Sequence, residues 1–500
     1  MIKFKLVICA CLFSAVITQA QLPTWRTVTE NFVEPAMSFR PAPFWVWHDR
    51  VDTVKIERDL QDFVDIGMGG VFIHPRYGLI TEYLSDEWFD QVQFSLNKTK
   101  QNGLAVWLYD ENSFPSGFAG GLVPEAMPES YNQGQGLLMR RVDEIPAGEF
   151  ALILTDDDGR KDITADAQIG AKGRFIVFEK TFFEKSKWYA GRSYVDLLLP
   201  GVTEKFIELT MSGYEKRFGD EFGKTIMGVF TDEPNVNPQR GGAIRWTPNL
   251  FDEFQSRWGY DLRPLLPSLF EETGEWKRVR HNYYRLMLEL FIENWSKPWH
   301  EYTEKHGLIW TGHYWEHGWP EPTEGSDNMA MYAWHQMPGI DMLFNTMDQD
   351  RTQFGNIRAV KELSSVANQL GQKRTLSETY GAAGWELTFA DMKRLGDWEY
   401  VLGVNFMNQH LAYMNLTGDR KHDFPQGICY QTPWWPHYRV LNDYFARLSM
   451  VLSAGEQVND ILVLEPTSTA WMYYSPQRSN DRLKKIDESF HQLLAQLESR

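Results

Sequence analysis

The chain has 500 residues, 43% of them hydrophobic and 14% aromatic, with 20 Trp. That composition belongs to a folded protein, and the length exceeds one average domain, although large barrels and sandwiches reach it as one unit. A formal net charge of −17 excludes nucleic acid and anionic lipid as main partners, because both select basic surfaces.

The chain opens with MIKFKLVICACLFSAVITQAQ, two lysines ahead of an apolar run and small residues before Gln21. This predicts a secretory signal peptide over 1–20, cut after Ala20 and too short to span a membrane. Cys9 and Cys11 fall inside it, and a lipoprotein reading of Cys11 would leave a very short apolar stretch ahead of the cut. Cys429 is then the one cysteine left. An exported chain with no internal disulfide suits a bacterial periplasm or cell surface. No second apolar stretch approaches membrane-spanning length, and oligomeric state leaves no mark in the sequence.

Apolar runs bounded by turn signals then alternate with amphipathic stretches. Strands are expected over 44–47, 70–74, 104–109, 225–231, 308–313, 339–344, 374–378 and 404–409. Helices between them include TVKIERDLQDFVDIG and SDEWFDQVQFSLNKTKQNG, the second with Ser85 as N-cap and Gly103 as stop. Eight strands alternating with helices predict an α/β fold, a (β/α)₈ barrel over 21–455, with reactive residues at the carboxyl ends of the strands. Residues 136–195 read as a small β-rich insertion after the third strand, placed to wall the site. After Gly455, QVNDILVLEPTSTAWMYY and the helical run that follows resemble the first strand and helix of a further α/β unit over 456–500, either vestigial or cut off.

The strand ends are polar. VFTDEPN closes the fourth strand with Asp232 and Glu233, and TLSETYG closes the seventh with Glu378. Strands four and seven face each other across a barrel, so both glutamates can reach one axial cavity. Glycoside hydrolysis needs such a pair, one group to protonate the leaving oxygen and one to attack or to activate water. The bland alternative is that DEP only starts a helix, since Asp, Glu and Pro favour the first turn. Adjacent strand residues point to opposite faces, so Glu233 is expected toward the axis and Asp232, in support, toward the helices. Other strand ends supply His74, Arg76, Asp110, Glu111, His313, Trp315, Glu316 and His410, with Tyr380 and Trp385 after the seventh. These types bind sugar hydroxyls, or stack on a ring in the case of the tryptophans. The high Trp content fits such stacking and fits an aromatic-rich core equally well. Asp110, Glu111, Asn112 and Glu316 offer oxygens of the kind calcium takes, but no metal-ligand spacing stands out.

Taken together, PFWVWHD, GMGGVFIHPRYGL, LYDENSFPSGFAGG, FTDEP and LSETYGAAGWELTFADMKRLGDWEYVLGVNFMNQH resemble the barrel of glycoside hydrolase family 106, the α-L-rhamnosidases, over roughly 40–455. The resemblance implies an exo-acting enzyme that removes terminal α-L-rhamnose with inversion, a calcium ion near the sugar, and further β-rich domains. Glutamates on strands four and seven typify retaining barrels, with carboxyls about 5–5.5 Å apart, whereas inversion needs about 6.5–9.5 Å. Either the pair is splayed or Glu316 serves as the base. Two other readings stay open: an exo-glycosidase of different specificity, galactosidase-like, and a surface protein that binds sugar without cleaving it. Binding alone has no need of facing carboxyls, and release of sugar from an aryl glycoside separates the classes.

Overall fold

The computed structural model describes residues 24–346 and 355–499. The signal-peptide segment over 1–20, with Cys9 and Cys11, lies outside the described residues. Thirteen strands follow in chain order: β1 (Phe44–Trp47), β2 (Gly70–Pro75), β3 (Ala105–Tyr109), β4 (Gly136–Glu144), β5 (Phe150–Thr155), β6 (Lys172–Thr181) and β7 (Ile226–Asp232), then β8 (Ala243–Arg245), β9 (Ile309–His313), β10 (Gly339–Met342), β11 (Leu376–Thr379), β12 (Phe406–Gln409) and β13 (Ala412–Tyr413). All eight strands expected from the alternation are among them, displaced by a residue or two at their ends.

The parallel strands form two ladders, β13-β1-β2-β3-β7-β9 and β10-β11-β12. One uninterrupted eight-stranded ladder was expected; the ladder breaks at two places instead. The last strand is split, β12 pairing with β11 and β13 with β1 (Trp45 opposite Ala412), with residues 410 and 411 between them. Ala42 N–H donates to Met407 O at 3.1 Å across that break. Between β9 and β10, Met337 N–H donates to Trp310 O at 3.1 Å. A Cβ on Gly339 would lie 2.7 Å from the carbonyl oxygen of Gly312, so the approach of these two strands requires glycine.

Strand periodicity sorts the side chains into two environments. One face of the strands carries Phe44, Phe72, Trp107, Phe230, Leu376 and Phe406, which pack in one apolar cluster drawn from both ladders. The ring centroids of Phe72 and Phe406 are 6.4 Å apart. Residues of the other face, such as Trp45, Trp47, Val71, Val229, Trp310 and Ile340, pack with the helices in the main core. Helix boundaries follow local chemistry. Asp52 caps the helix Thr53–Asp65, Ser85 caps Asp86–Asn102, and Gly103, at φ 71°, ends the latter.

The segment after β3 forms an antiparallel sheet in the order β5-β6-β4-β8. Its fourth strand, β8, comes from beyond β7 and was not expected; it pairs with β4, and Arg245 forms a buried ion pair with Asp196. No strand forms over 456–466, where the further α/β unit was expected to begin. The backbone there meets no neighbouring strand to satisfy its N–H and C=O groups, and Val458, Leu462 and Leu464 are exposed. The helices Thr467–Tyr473 and Asp481–Glu498 follow, and Trp471, buried, donates its indole N–H to Ser326 O at 2.8 Å.

Candidate active site

Two residues further along most strands the same face turns polar, β1 being the exception with Val46 after Phe44. Phe72 is followed by His74, Trp107 by Tyr109, Phe230 by Asp232, Gly339 by Asp341, Leu376 by Glu378 and Phe406 by Asn408, and His313 ends β9. The register levels them: Asp232 lies opposite His313, Asp341 opposite Glu378, and Glu378 opposite Asn408. All of these residues are buried. A polar layer therefore sits directly on an apolar one.

His313 is the hub. Its Nε2 donates to Glu378 Oε2 at 2.8 Å and lies 3.5 Å from Asp232 Oδ1. Burial alone would strip the imidazole of its charge, but the bond to Glu378 and the carboxylates of Asp232, Glu378 and Asp341 outweigh it and raise its pKa well above the usual value. An imidazolium thus pairs with Glu378. Burial pushes the Glu378 pKa upward, and His313 counteracts this. His410 Nε2 stands 3.8 Å from the other Glu378 oxygen; burial holds that ring neutral, with its pKa down at about 3.

Glu233 comes one residue after the strand, with φ 45° and its N–H bonded to His313 O at 3.2 Å. The expectation that Asp232 turns toward the helices is corrected here. By strand alternation Asp232 shares a face with Phe230, where Tyr109 O–H donates to it. Alternation stops at Asp232, and the left-handed turn at Glu233 replaces it. Burial and then the charge of Asp232 raise the Glu233 pKa well above the carboxylate range, with Glu378 and Glu316 adding to the effect and His313 opposing it.

The other expected site residues divide. His74 accepts from Arg76 at 3.0 Å and is held neutral by burial and by that guanidinium. Arg76 forks onto Asp423 at 2.6 and 2.8 Å. Asp110 accepts from Ser116 Oγ at 2.7 Å, and Ser116 Oγ in turn accepts the Asp232 N–H, so Asp110 positions the β7 end through a hydroxyl. Glu111 is not free for sugar or metal. Its two oxygens accept the N–H groups of Asn112, Gly117, Phe118, Ala119 and Gly120 at 2.6–3.1 Å and so organise the glycine-rich loop. Glu316 is buried against Tyr332 O–H and Tyr314 N–H, with burial raising its pKa to about 7. Tyr380 is corrected as well: it is buried and donates to Met392 O at 2.9 Å, within the layer of the helix Phe389–Leu402. Trp385 is pinned to Lys421 O at 2.9 Å, and Trp315 is left partly exposed just after β9.

Asp341, Tyr109 and Asp423 belong to the site and were missed. The first two were legible as the polar member of an alternating strand. Asp423 lies 347 residues from its partner, a distance no local pattern spans. For a cation, Asp232, His313 and Glu378 bring ligand atoms within 4.8 Å of one another. Asp341 Oδ1 is buried without a partner beside them. The carboxylates at this level outnumber the one imidazolium, which suits a hard cation that takes oxygen ligands.

Parallel strands backed by helices, with buried carboxylates at their carboxyl ends, form an α/β scaffold of the kind glycoside hydrolases use. The family model Glyco_hydro_106, alpha-L-rhamnosidase, matches residues 191–479, more than half of the chain. The protein belongs to that family. A rhamnosidase from Novosphingobium sp. PP1Y superposes with a TM-score of 0.62 at 17% identity, covering 86% of this chain and 61% of that one. A β-galactosidase from the psychrophilic Marinomonas ef1 gives 0.51 at 10%, covering 80% and 59%. Both likenesses speak for the fold alone. A putative beta-glucuronidase of Formosa agariphila is 25% identical over 273 residues, 51% of this chain and 21% of that protein. The chain thus spans under two thirds of the length of these relatives. Among the described residues, no helix is long and apolar enough to cross a membrane.

Proposed function

We propose that the protein is an exported, exo-acting glycoside hydrolase that releases terminal α-L-rhamnose from plant-type polysaccharides or glycoconjugates, with inversion. In this reading the two ladders are arcs of one (β/α)₈ barrel, the single bonds at residues 42 and 337 marking where they meet. The observation that carries the reading is the unequal surroundings of the two glutamates. Glu378 is bonded to an imidazolium, whereas Glu233 is half-buried beside carboxylates and paired with no cation among the described residues. A pair pushed apart in this way divides the work: Glu233 keeps a proton to give to the leaving oxygen, and Glu378 stays ionised to activate water. His313 holds Glu378 in place, and Tyr109 holds Asp232.

A calcium ion fits this reading. The carboxylates of Asp232 and Asp341 would hold it, and it would supply positive charge for sugar hydroxyls. Both oxygens of Glu111, at first sight a candidate, are taken by backbone amides, whereas Glu316 gives Oε1 to Tyr332 and Tyr314 and keeps Oε2 buried without a partner.

The test is a panel of aryl glycosides, α-L-rhamnoside beside β-D-galactoside and β-D-glucuronide, with NMR of the first-formed anomer. Release of β-L-rhamnose from the first substrate alone is expected. Preference for either other glycoside refutes the specificity, α-L-rhamnose as first product refutes inversion, and no release at all leaves a sugar-binding protein.

A further inference from the structure

The site described so far accounts for the sugar that is removed and leaves unassigned an aromatic assembly beside it. Tyr77 follows β2, Phe114 lies in the loop after β3, and Trp188 comes from the segment after β6. Tyr77 and Trp188 stack with centroids 5.7 Å apart and planes 27° from parallel. Phe114 stands edge-on to Trp188 at 5.2 Å and 81°. Trp188 donates its indole N–H to Phe114 O, which fixes the ring's azimuth. Three segments far apart in sequence thus converge on one small surface, yet Tyr77 keeps 58% of its area exposed and the other two are half-buried. Rings recruited only for stability are normally covered.

The assembly is continuous with the active site. The Arg76 guanidinium lies 5.3 Å over the Phe114 ring, and the same group is bonded to His74 and Asp423. His74 in turn lies against Tyr109, centroids 3.7 Å apart, and Tyr109 is bonded to Asp232. A ligand that places one ring in the polar layer would lay its next ring beyond Arg76.

We propose that Tyr77, Trp188 and Phe114 form a subsite for the leaving-group side of the substrate, taking one face of a neutral pyranose ring. Flat, pre-oriented, partly exposed aromatic rings next to convergent polar groups are the surface a sugar ring needs. Tyr77 and Trp188 also cost little ordering entropy, since Trp188 is already held.

The subsite rests on the glycosidase reading, and its test separates the two. Two probes are used, α-L-rhamnosyl-(1→6)-D-glucose, which reaches beyond the cleaved bond, and α-L-rhamnosyl fluoride, which does not. Trp188→Ala is expected to lower the ratio of kcat/KM for the disaccharide over that for the fluoride by about 10-fold, the loss of one well-packed ring contact. Tyr77→Ala, which removes a ring with no side-chain hydrogen bond, is expected to lower it severalfold, and Trp188→Phe to restore most of it. An unchanged ratio in both alanine variants overturns the proposal, as does an equal fall on both probes, which marks a folding defect. Saturation-transfer NMR of the disaccharide reads the subsite without turnover. If the wild type cleaves neither probe, the rhamnosidase reading fails, and the subsite then stands or falls on saturation of the glucose ring protons, expected in wild type and lost in Trp188→Ala.

Discussion

Glu233 and Glu378 differ by what touches them, and substitution should expose the difference. Glu233→Gln keeps shape and hydrogen bonding but removes the proton. Hydrolysis of rhamnosides with poor leaving groups should fall about 10²–10⁴-fold, and that of activated phenols much less. Glu378→Gln should slow both alike. Measuring kcat/KM across a series of leaving-group pKa values decides it; a flat dependence in Glu233→Gln sinks the assignment. Away from the site, His335 is buried, accepts from Tyr314 O–H at 3.0 Å and has its pKa lowered to about 3 by burial. Below pH 6.5 the unfolded chain takes up a proton that the folded ring refuses. This contribution is therefore intact above pH 6.5 and lost as pH falls toward 3, reaching about 2 kcal/mol at pH 5. Urea unfolding of wild type and His335→Gln should show the stability gap narrowing by that amount between pH 7 and pH 5. At this scale strand position gave the right direction for His74, His313 and Glu378 but the wrong one for Asp232, because alternation stops there and does not run through to Glu233. The sequence also misled at Glu111, because nothing in DENSFPSGFAGG shows that the loop curls back and fills a carboxylate with its own amides.

Among elements, strand cores were legible because each apolar run is short and sharply bounded, whereas pairing was not. The run after Gly455 contains the apolar stretch ILVL over 461–464 and remains irregular, since a strand exists only with a neighbour. The split of the last strand into β12 and β13 and the recruitment of β8 into the antiparallel sheet likewise depend on contacts distant in sequence. The helix Thr467–Tyr473 packs on the helix Trp276–Phe291, where Arg280 donates to Met472 O at 3.4 Å. It is anchored by Trp471, at 5% exposure. Trp471→Ala removes that packing and leaves the Ser326 carbonyl without its donor, at a cost of about 3–5 kcal/mol. Calorimetry should record a clear drop in Tm; an unchanged Tm would mean that the helix contributes nothing to the rest.

For the molecule as a whole, the two-layer arrangement explains why so many charges tolerate burial. The apolar rings of Phe44, Phe72, Trp107 and Phe230 fill the space beneath the carboxylates and exclude water from that side. In that setting the excess negative charge is costly unless something neutralises it. Exhaustive chelation should therefore lower both activity and Tm, and calcium should restore both; metal analysis of the purified protein gives the stoichiometry. Full activity in a metal-free preparation would remove calcium from the scheme. The general architecture could be read from alternation alone, because inward and outward residues carry different chemistry. Where the ladders stop could not, since that turns on contacts between strands distant in sequence and on the break at 410–411.

The left-handed backbone at Glu233 has an evolutionary consequence. A side chain at φ 45° costs of the order of 1 kcal/mol relative to glycine, and here it is also an acid crowded by other acids. Selection for stability alone would discard it. Glu233→Gly should raise the free energy of unfolding by at least about 1 kcal/mol while abolishing turnover of unactivated rhamnosides, as denaturant titration beside a rate assay would show. Lineages that lost the need to cut a glycosidic bond would drift at this position toward glycine or asparagine, gaining robustness as they lost the reaction. A descendant chain with glycine here would gain the relaxed backbone and lose the acid.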